Sequence, residues 1–300
     1  MVWGGRSSSD YGNADPEWLT IDWRPHLKRV SLPGAEVGYA EMGEGPPLLL
    51  IHGISGSWQN WLETIPHFAR SRRVLAPDLP GFGSSPMPSW EIDMPAYGRL
   101  IHDFCEKLGI GSDAAIVGNS LGGFVAAEAV TSVQGGFERL GLISAAGIIN
   151  TWAPEQRAVV TAYAWKTLGP LFARRSREIV ASPGLRQAVF GRIMRYPNRL
   201  RAELLWEQIS SGLTHCPGFG DALHAAIRHD LRDRLGSIEM PTLIVWGFDD
   251  RVIPVQAALS YHRRIPRSRL EIFERTGHVP QLERPGRFNP LLEEFLSASA

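Results

Sequence analysis

The segment Gly118-Asn119-Ser120-Leu121-Gly122 constrains this chain more than any other. It follows the apolar run Ala114-Ala115-Ile116-Val117 and leads into Phe124-Val125-Ala126-Ala127-Glu128-Ala129, a stretch of mostly small and apolar residues. That order reads as a buried strand, a sharp turn, and a helix packed tightly on the strand it has just left. Glycines at 118 and 122 leave room where a Cβ would strike the neighbouring strand or helix. The turn presents the Ser120 hydroxyl at its tip. The helix start beyond it offers unpaired N–H groups and the positive end of a dipole, where a negative oxygen would be held. With 31 glycines in 300 residues a lone G-x-S-x-G arises easily by chance, so other parts of the chain must supply its partners.

Further apolar runs set the frame. Leu48-Leu49-Leu50-Ile51 ends in His52-Gly53, and Val74-Leu75-Ala76 ends in Pro77-Asp78 and a glycine-rich turn. Leu140-Gly141-Leu142-Ile143, Leu243-Ile244-Val245-Trp246 and Leu270-Glu271-Ile272-Phe273 follow. Short continuous apolar strands separated by helix-length segments describe a mostly parallel sheet with helices on both faces. Residues 28–32 and 36–41, separated by Pro33-Gly34, read as a hairpin ahead of it. Helices are expected over 58–68, 94–108, 120–133 and 289–296.

Nearly a hundred residues between the run at 140–143 and the run at 243–246 contain no strand pattern. Amphipathic helical patterns occupy 154–167, 185–194, 199–210 and 221–234. The expected organisation is therefore an N-terminal arm over 1–25, a core over 26–147 and 237–300, and an inserted helical cap over 148–236.

Composition narrows the function classes. Lys plus Arg and Asp plus Glu both number 31, a balance that argues against nucleic acid or an anionic membrane as the main partner. Cys105 and Cys216 show no metal-ligand spacing and fit reduced thiols. No leader-like apolar run opens the chain and no window suits a membrane span, so a cytoplasmic protein is expected.

A serine hydroxyl needs a base within hydrogen-bond reach before it attacks anything at neutral pH. Among nine histidines, His278 lies just beyond the last strand, at the same sheet end as Ser120. The base in turn needs a carboxylate to fix its tautomer. Asp249 and Asp250 both follow the penultimate strand; Asp250 is favoured, with Asp249 as the alternative. An oxyanion would be held by the N–H of Leu121 and, after His52-Gly53, by that of Ile54. His52 itself is expected to orient this loop, and His67, His102, His215, His224 and His229 to serve packing or surface roles.

The pieces Leu50-Ile51-His52-Gly53, Pro77-Asp78-Leu79-Pro80-Gly81-Phe82-Gly83, Gly118-Asn119-Ser120-Leu121-Gly122-Gly123, Trp246-Gly247-Phe248-Asp249-Asp250 and Gly277-His278, in that order, resemble the α/β-hydrolase superfamily from about residue 28 to the end. The resemblance implies a Ser120–His278–Asp250 triad with Ile54 and Leu121 as oxyanion donors, Asp78 as a loop-shaping residue, and no cofactor or metal. A serine at the elbow departs from the dehalogenases and epoxide hydrolases of this fold, which carry aspartate there. Gly118-Asn119-Ser120 and the 246–254 segment look like the meta-cleavage-product hydrolases. Those enzymes typically place tryptophan after the catalytic histidine, where this chain has Val279.

The expectation is a serine hydrolase acting on small to medium, largely apolar carboxylic esters, as a monomer or homodimer. Carbon–carbon hydrolysis, with Arg192 or Arg195 binding a carboxylate, is an alternative. Acyl or perhydrolytic transfer on the same triad is another, and a non-catalytic receptor on the same scaffold a third. Trp152, Trp165, Phe172, Phe190 and Trp206 are expected to fill the cap and line part of its cleft.

Overall fold

The computed structural model describes residues 8–12, 15–148, 174–213 and 215–298. Eight strands form one sheet: β1 (Leu27–Leu32), β2 (Ala35–Met42), β3 (Pro47–Ile51), β4 (Arg73–Pro77), β5 (Ala115–Asn119), β6 (Arg139–Ile143), β7 (Thr242–Gly247) and β8 (Ser268–Phe273). Their spatial order is β1-β2-β4-β3-β5-β6-β7-β8. β2 runs antiparallel to both β1 and β4, and every other pair is parallel.

Strand side chains alternate between faces, and here both faces are covered. Leu49, Ile51 and Ile116 join one apolar core while Leu48, Leu50, Ala115 and Val117 join the other. That double burial is why the central strands read as unbroken apolar runs. The described helices are α1 (Ile65–Phe68), α2 (Met94–Lys107), α3 (Leu121–Ser132), α4 (Ser176–Ala181), α5 (Pro183–Phe190), α6 (Ala202–Glu207), α7 (Phe219–Arg228), α8 (Gln256–Arg264), α9 (Pro280–Glu283) and α10 (Pro285–Ser297). The expected α/β-hydrolase sheet, flanked by helices, is thus present.

Several helices differ from expectation for identifiable reasons. The helix expected over 58–68 is instead a 3-10 turn, Trp58–Trp61, followed by α1. Pro66 cannot continue a helix begun at 58, because its ring would meet the carbonyl of residue 62. It is accommodated instead in the first turn of α1. The final helix starts four residues earlier than expected, at Pro285, and carries Pro290 inside it at the loss of one backbone bond.

Between β6 and β7, the patterns at 185–194, 199–210 and 221–234 become α5, α6 and α7, each shorter than expected. α6 continues as a π-turn, Gln208–Leu213. α7 stops before His229, whose ring lies 2.8 Å from the buried carboxylate of Glu128 on α3. The chain then returns to the sheet, the Leu231 amide donating to the Gly147 carbonyl at 2.8 Å. The helix expected over 154–167, with Trp152, Trp165 and Phe172, lies outside the described residues. Phe190 is buried and Trp206 is partly exposed. Among the described residues no helix is long and apolar enough to cross a membrane.

Candidate active site

The sheet order sets β4 on one side of β3 and β5 on the other, so the chain diverges at β3 and the ends of β3 and β5 lie side by side. Ligands of open parallel sheets bind at such a divergence, beyond the strand C-termini. His52, Gly53 and Ile54 leave β3 there, and Ser120 leaves β5.

Ser120 bridges β5 and α3 with φ 55° and ψ −115°, a backbone conformation rarely held by a residue with a side chain. The surroundings enforce it. Its amide donates to the Ile143 carbonyl at 2.9 Å, and its carbonyl accepts from Ala146 at 3.0 Å and Phe124 at 3.1 Å. A Cβ on Gly118 would overlap the Gly122 carbonyl, and one on Gly122 would overlap that of Ile51. The turn can close only on glycines, and closing it seats Ser120 with 7% of its surface exposed.

His278 follows β8 and is held from three sides. Its Nδ1 lies 2.8 Å from Asp250 Oδ2. The carboxylate can only accept, so Nδ1 carries the proton and Nε2 is left as the acceptor. Asp250 is itself oriented, its Oδ1 accepting from the amides of Val252 at 2.8 Å and Ile253 at 2.9 Å. Asp249 faces elsewhere, its Oδ2 lying 3.4 Å from Arg195 Nε. The His278 amide donates to the Ile193 carbonyl at 2.6 Å, and its carbonyl accepts from Asn119 Nδ2 at 3.2 Å. Asn119 also donates to the Ile143 carbonyl at 3.0 Å, so one buried amide ties the residue before Ser120 to His278.

His52 is wholly buried and fully used. Its Nδ1 donates to the Gly53 carbonyl at 2.7 Å, and its Nε2 accepts the Leu79 amide at 2.9 Å. Burial holds its pKa below the ordinary imidazole value, consistent with that neutral tautomer. Asp78 accepts from the Trp58 amide at 2.7 Å and from the Ser84 amide and hydroxyl at 2.7 and 2.9 Å. Its pKa is raised, chiefly by burial. Both residues shape the loops around Ser120. Among the described residues, the amides of Ile54 and Leu121 donate to no protein acceptor.

Two features of the site carried no sequence signal. Glu283 on α9 is buried, its Oε1 accepting the Gly277 amide at 2.8 Å and its Oε2 the Arg195 amide at 2.7 Å. Burial pushes its pKa up to about 8 against the pull of these bonds, with the nearby Asp250 charge adding to the rise. It binds the His278 loop to the 193–195 strap. Asn60 accepts the Gly53 amide at 3.2 Å and donates to Gln208 at 2.5 Å. Among the described residues no cluster of three His, Cys, Asp or Glu side chains could hold a metal.

Known proteins share this fold. The chain is 31% identical over 293 residues to the 2-hydroxymuconate semialdehyde hydrolase of Pseudomonas sp. strain CF600, covering 90% of this chain and 93% of that protein. A thermophilic esterase from Thermogutta terrifontis superposes with a TM-score of 0.77 at 25% identity, over 90% of this chain and 98% of that one. A meta-cleavage product hydrolase from Pseudomonas fluorescens superposes with a TM-score of 0.72 at 27% identity, over 89% and 96% of the two chains. The family model described as alpha/beta hydrolase fold matches residues 46–285. This chain, a hydrolase by that match, belongs to the alpha/beta hydrolase fold family.

Proposed function

We propose that the chain is a serine hydrolase cleaving carboxylic esters of small to medium, largely apolar substrates through an acyl-enzyme on Ser120. The observation that carries this reading is the 2.8 Å contact between His278 Nδ1 and the doubly anchored Asp250. It leaves His278 Nε2 free to take a proton. In this mechanism Nε2 takes the Ser120 proton as Oγ adds to the ester carbonyl. The negative oxygen is received by the Ile54 and Leu121 amides, each donor worth about 3 kcal/mol in sites of this kind. His278 then protonates the leaving alcohol. A water molecule, deprotonated by the same nitrogen, releases the acid and restores Ser120. The reading needs no cofactor or metal, treats the helices between β6 and β7 as a cap over the site, and places a monomer or homodimer in the cytoplasm.

Carbon–carbon hydrolysis is the second reading, favoured by the activities named for two of the similar proteins. Against it stands the use of the arginines. Arg195 pairs with Asp249 and stacks on Tyr196 with its guanidinium 4.9 Å from the ring centre, while Arg192 is exposed. Neither is held ready for a substrate carboxylate.

The experiment is turnover of p-nitrophenyl acetate through octanoate beside that of a dienoate ring-fission product, with Ser120→Ala as control. Ester turnover that exceeds dienoate turnover and disappears in the variant supports the proposal. Dienoate turnover far above ester turnover moves the assignment to the second reading, and Ser120→Ala with undiminished activity overturns both.

A further inference from the structure

The strap 193–195 and the Glu128 cluster both join the helices between β6 and β7 to the sheet, but the π-turn Gln208–Leu213 touches the machinery most directly. Its partner is the loop that follows His52. There the Gly56 amide donates to the Gly53 carbonyl at 3.0 Å, closing a tight turn with Ile54 and Ser55 at its centre. Ser55 is held at φ 55°, in the left-handed region. A non-glycine residue stays there only where its surroundings fix it.

The π-turn supplies that hold through three of its residues. Gln208 Oε1 accepts from Asn60 Nδ2, and Asn60 Oδ1 accepts the Gly53 amide, so a side-chain relay runs from the π-turn to the residue before Ile54. Gln208 Nε2 also donates to the Gln59 carbonyl at 3.0 Å. The Ser57 hydroxyl lies 2.9 Å from Ser211 Oγ. Finally, Gly212 is pressed so closely on Ser55 that a Cβ on it would overlap the Ser55 carbonyl oxygen. The extra residue per turn of a π-segment is a common way to re-aim side chains at a functional site. Here it brings Gln208, Ser211 and Gly212 together onto the stretch 53–60.

We infer that Gln208 and Gly212 are positioning residues for the oxyanion hole: through Asn60 and Ser55 they aim the Ile54 N–H. The inference rests on the reading of Ile54 as an oxyanion donor to a Ser120 adduct. It makes the π-turn part of the transition-state machinery, although none of its residues touches the reacting atoms. A donor displaced by a fraction of an ångström loses stabilisation of the transition state while leaving ground-state binding in place.

The test uses a fluorescent alkyl fluorophosphonate. Ser120 Oγ forms the bond to phosphorus, fluoride leaves, and the phosphonyl oxygen takes the oxyanion position. In Gln208→Leu and Gly212→Ala the maximal labelling rate should fall about ten-fold or more, as should kcat for a good ester, with KM and the probe's half-saturating concentration changed less than about three-fold. If Gln208 acts through Asn60, Asn60→Ala and the Asn60→Ala/Gln208→Leu double variant should be about equally slow.

Labelling of both single variants at the wild-type rate overturns the inference, as does full additivity in the double variant. A lowered Tm with undiminished labelling also overturns it, because a purely structural contact would give that result. Should Gly212→Ala fail to fold, the Gln208 cycle decides alone. A wild-type protein that is not labelled, or a Ser120→Ala variant that is, overturns the Ser120 reading itself. That outcome is distinct from labelled wild-type protein with unaffected variants.

Discussion

Asn119 donates its side-chain amide to the main-chain carbonyl of His278 across 3.2 Å, joining two residues 159 positions apart. The second N–H of the same amide reaches the Ile143 carbonyl. The spacing between the elbow and the histidine loop is therefore fixed by a buried side chain that does no chemistry in the proposed mechanism. Asn119→Ala should leave two buried carbonyls without these donors, at a stability cost of about 1–3 kcal/mol. It should also lower kcat by at least about ten-fold through misplacement of His278. Urea denaturation and steady-state kinetics on one preparation check both; wild-type kcat with reduced stability would confine Asn119 to a packing role.

Asp250→Asn is expected to keep the fold and lose the reaction. Oδ1 of residue 250 faces two amides, so the new carboxamide will turn its oxygen to Val252 and Ile253 and its NH2 to His278. His278 Nδ1 must then accept, which moves the proton to Nε2 and removes the base. In the Ser-His-Asp template that tautomer change costs about four orders of magnitude in kcat. A loss below about ten-fold would give the carboxylate role to another residue.

The carboxylate of Glu283 links stability to pH. Its folded-state pKa, about 8, lies above the ordinary carboxylate value, so the folded protein holds a proton that the unfolded chain has released. The favourable contribution is complete below the unfolded pKa and is lost as pH rises towards 8, at a slope of up to about 1.4 kcal/mol per pH unit. Glu283→Gln should flatten this slope, although it costs one of the two amide bonds. Tm measured from pH 5 to 8.5 checks it, and parallel curves for the two proteins would remove Glu283 as the source.

Glu128 and Arg234 form a further joint between α3 and the segment returning to β7. Arg234 Nη1 lies 2.9 Å from both carboxylate oxygens, and the Glu128 side chain is 2% exposed. Arg234→Ala leaves a buried carboxylate with the His229 ring and the Ser132 hydroxyl as its remaining side-chain partners. It should destabilise the protein by about 2–3 kcal/mol, at the low end for breaking a buried pair because Arg234 is partly exposed. A thermal shift within error of wild type would contradict this.

Legibility in the sequence followed the range of the physics. β3, β5 and β7 could be read because both of their faces are buried, which leaves nothing polar to break the run. Ser120 and His278 could be singled out as candidates because turn chemistry and strand ends are local. Glu283 could not: in sequence it is an ordinary helical glutamate, and its acceptor role comes from Arg195, 88 residues away. The same holds for Asn60 and Gln208, joined over 148 residues. α8 was missed because only Ala257, Ala258, Ser260 and Tyr261 are buried in a nine-residue helix, too few to mark a period. Asp249 and Asp250 were separable only once each was seen to have its own partner.

The strained turn at Ser120 has a consequence for anyone who evolves this protein in the laboratory. A serine at φ 55° stores about 1–3 kcal/mol that a glycine there would relax. Selection for thermostability or soluble expression alone therefore rewards Ser120→Gly, a change that removes the proposed nucleophile. A library sorted on robustness will drift toward inert descendants unless each round also demands turnover.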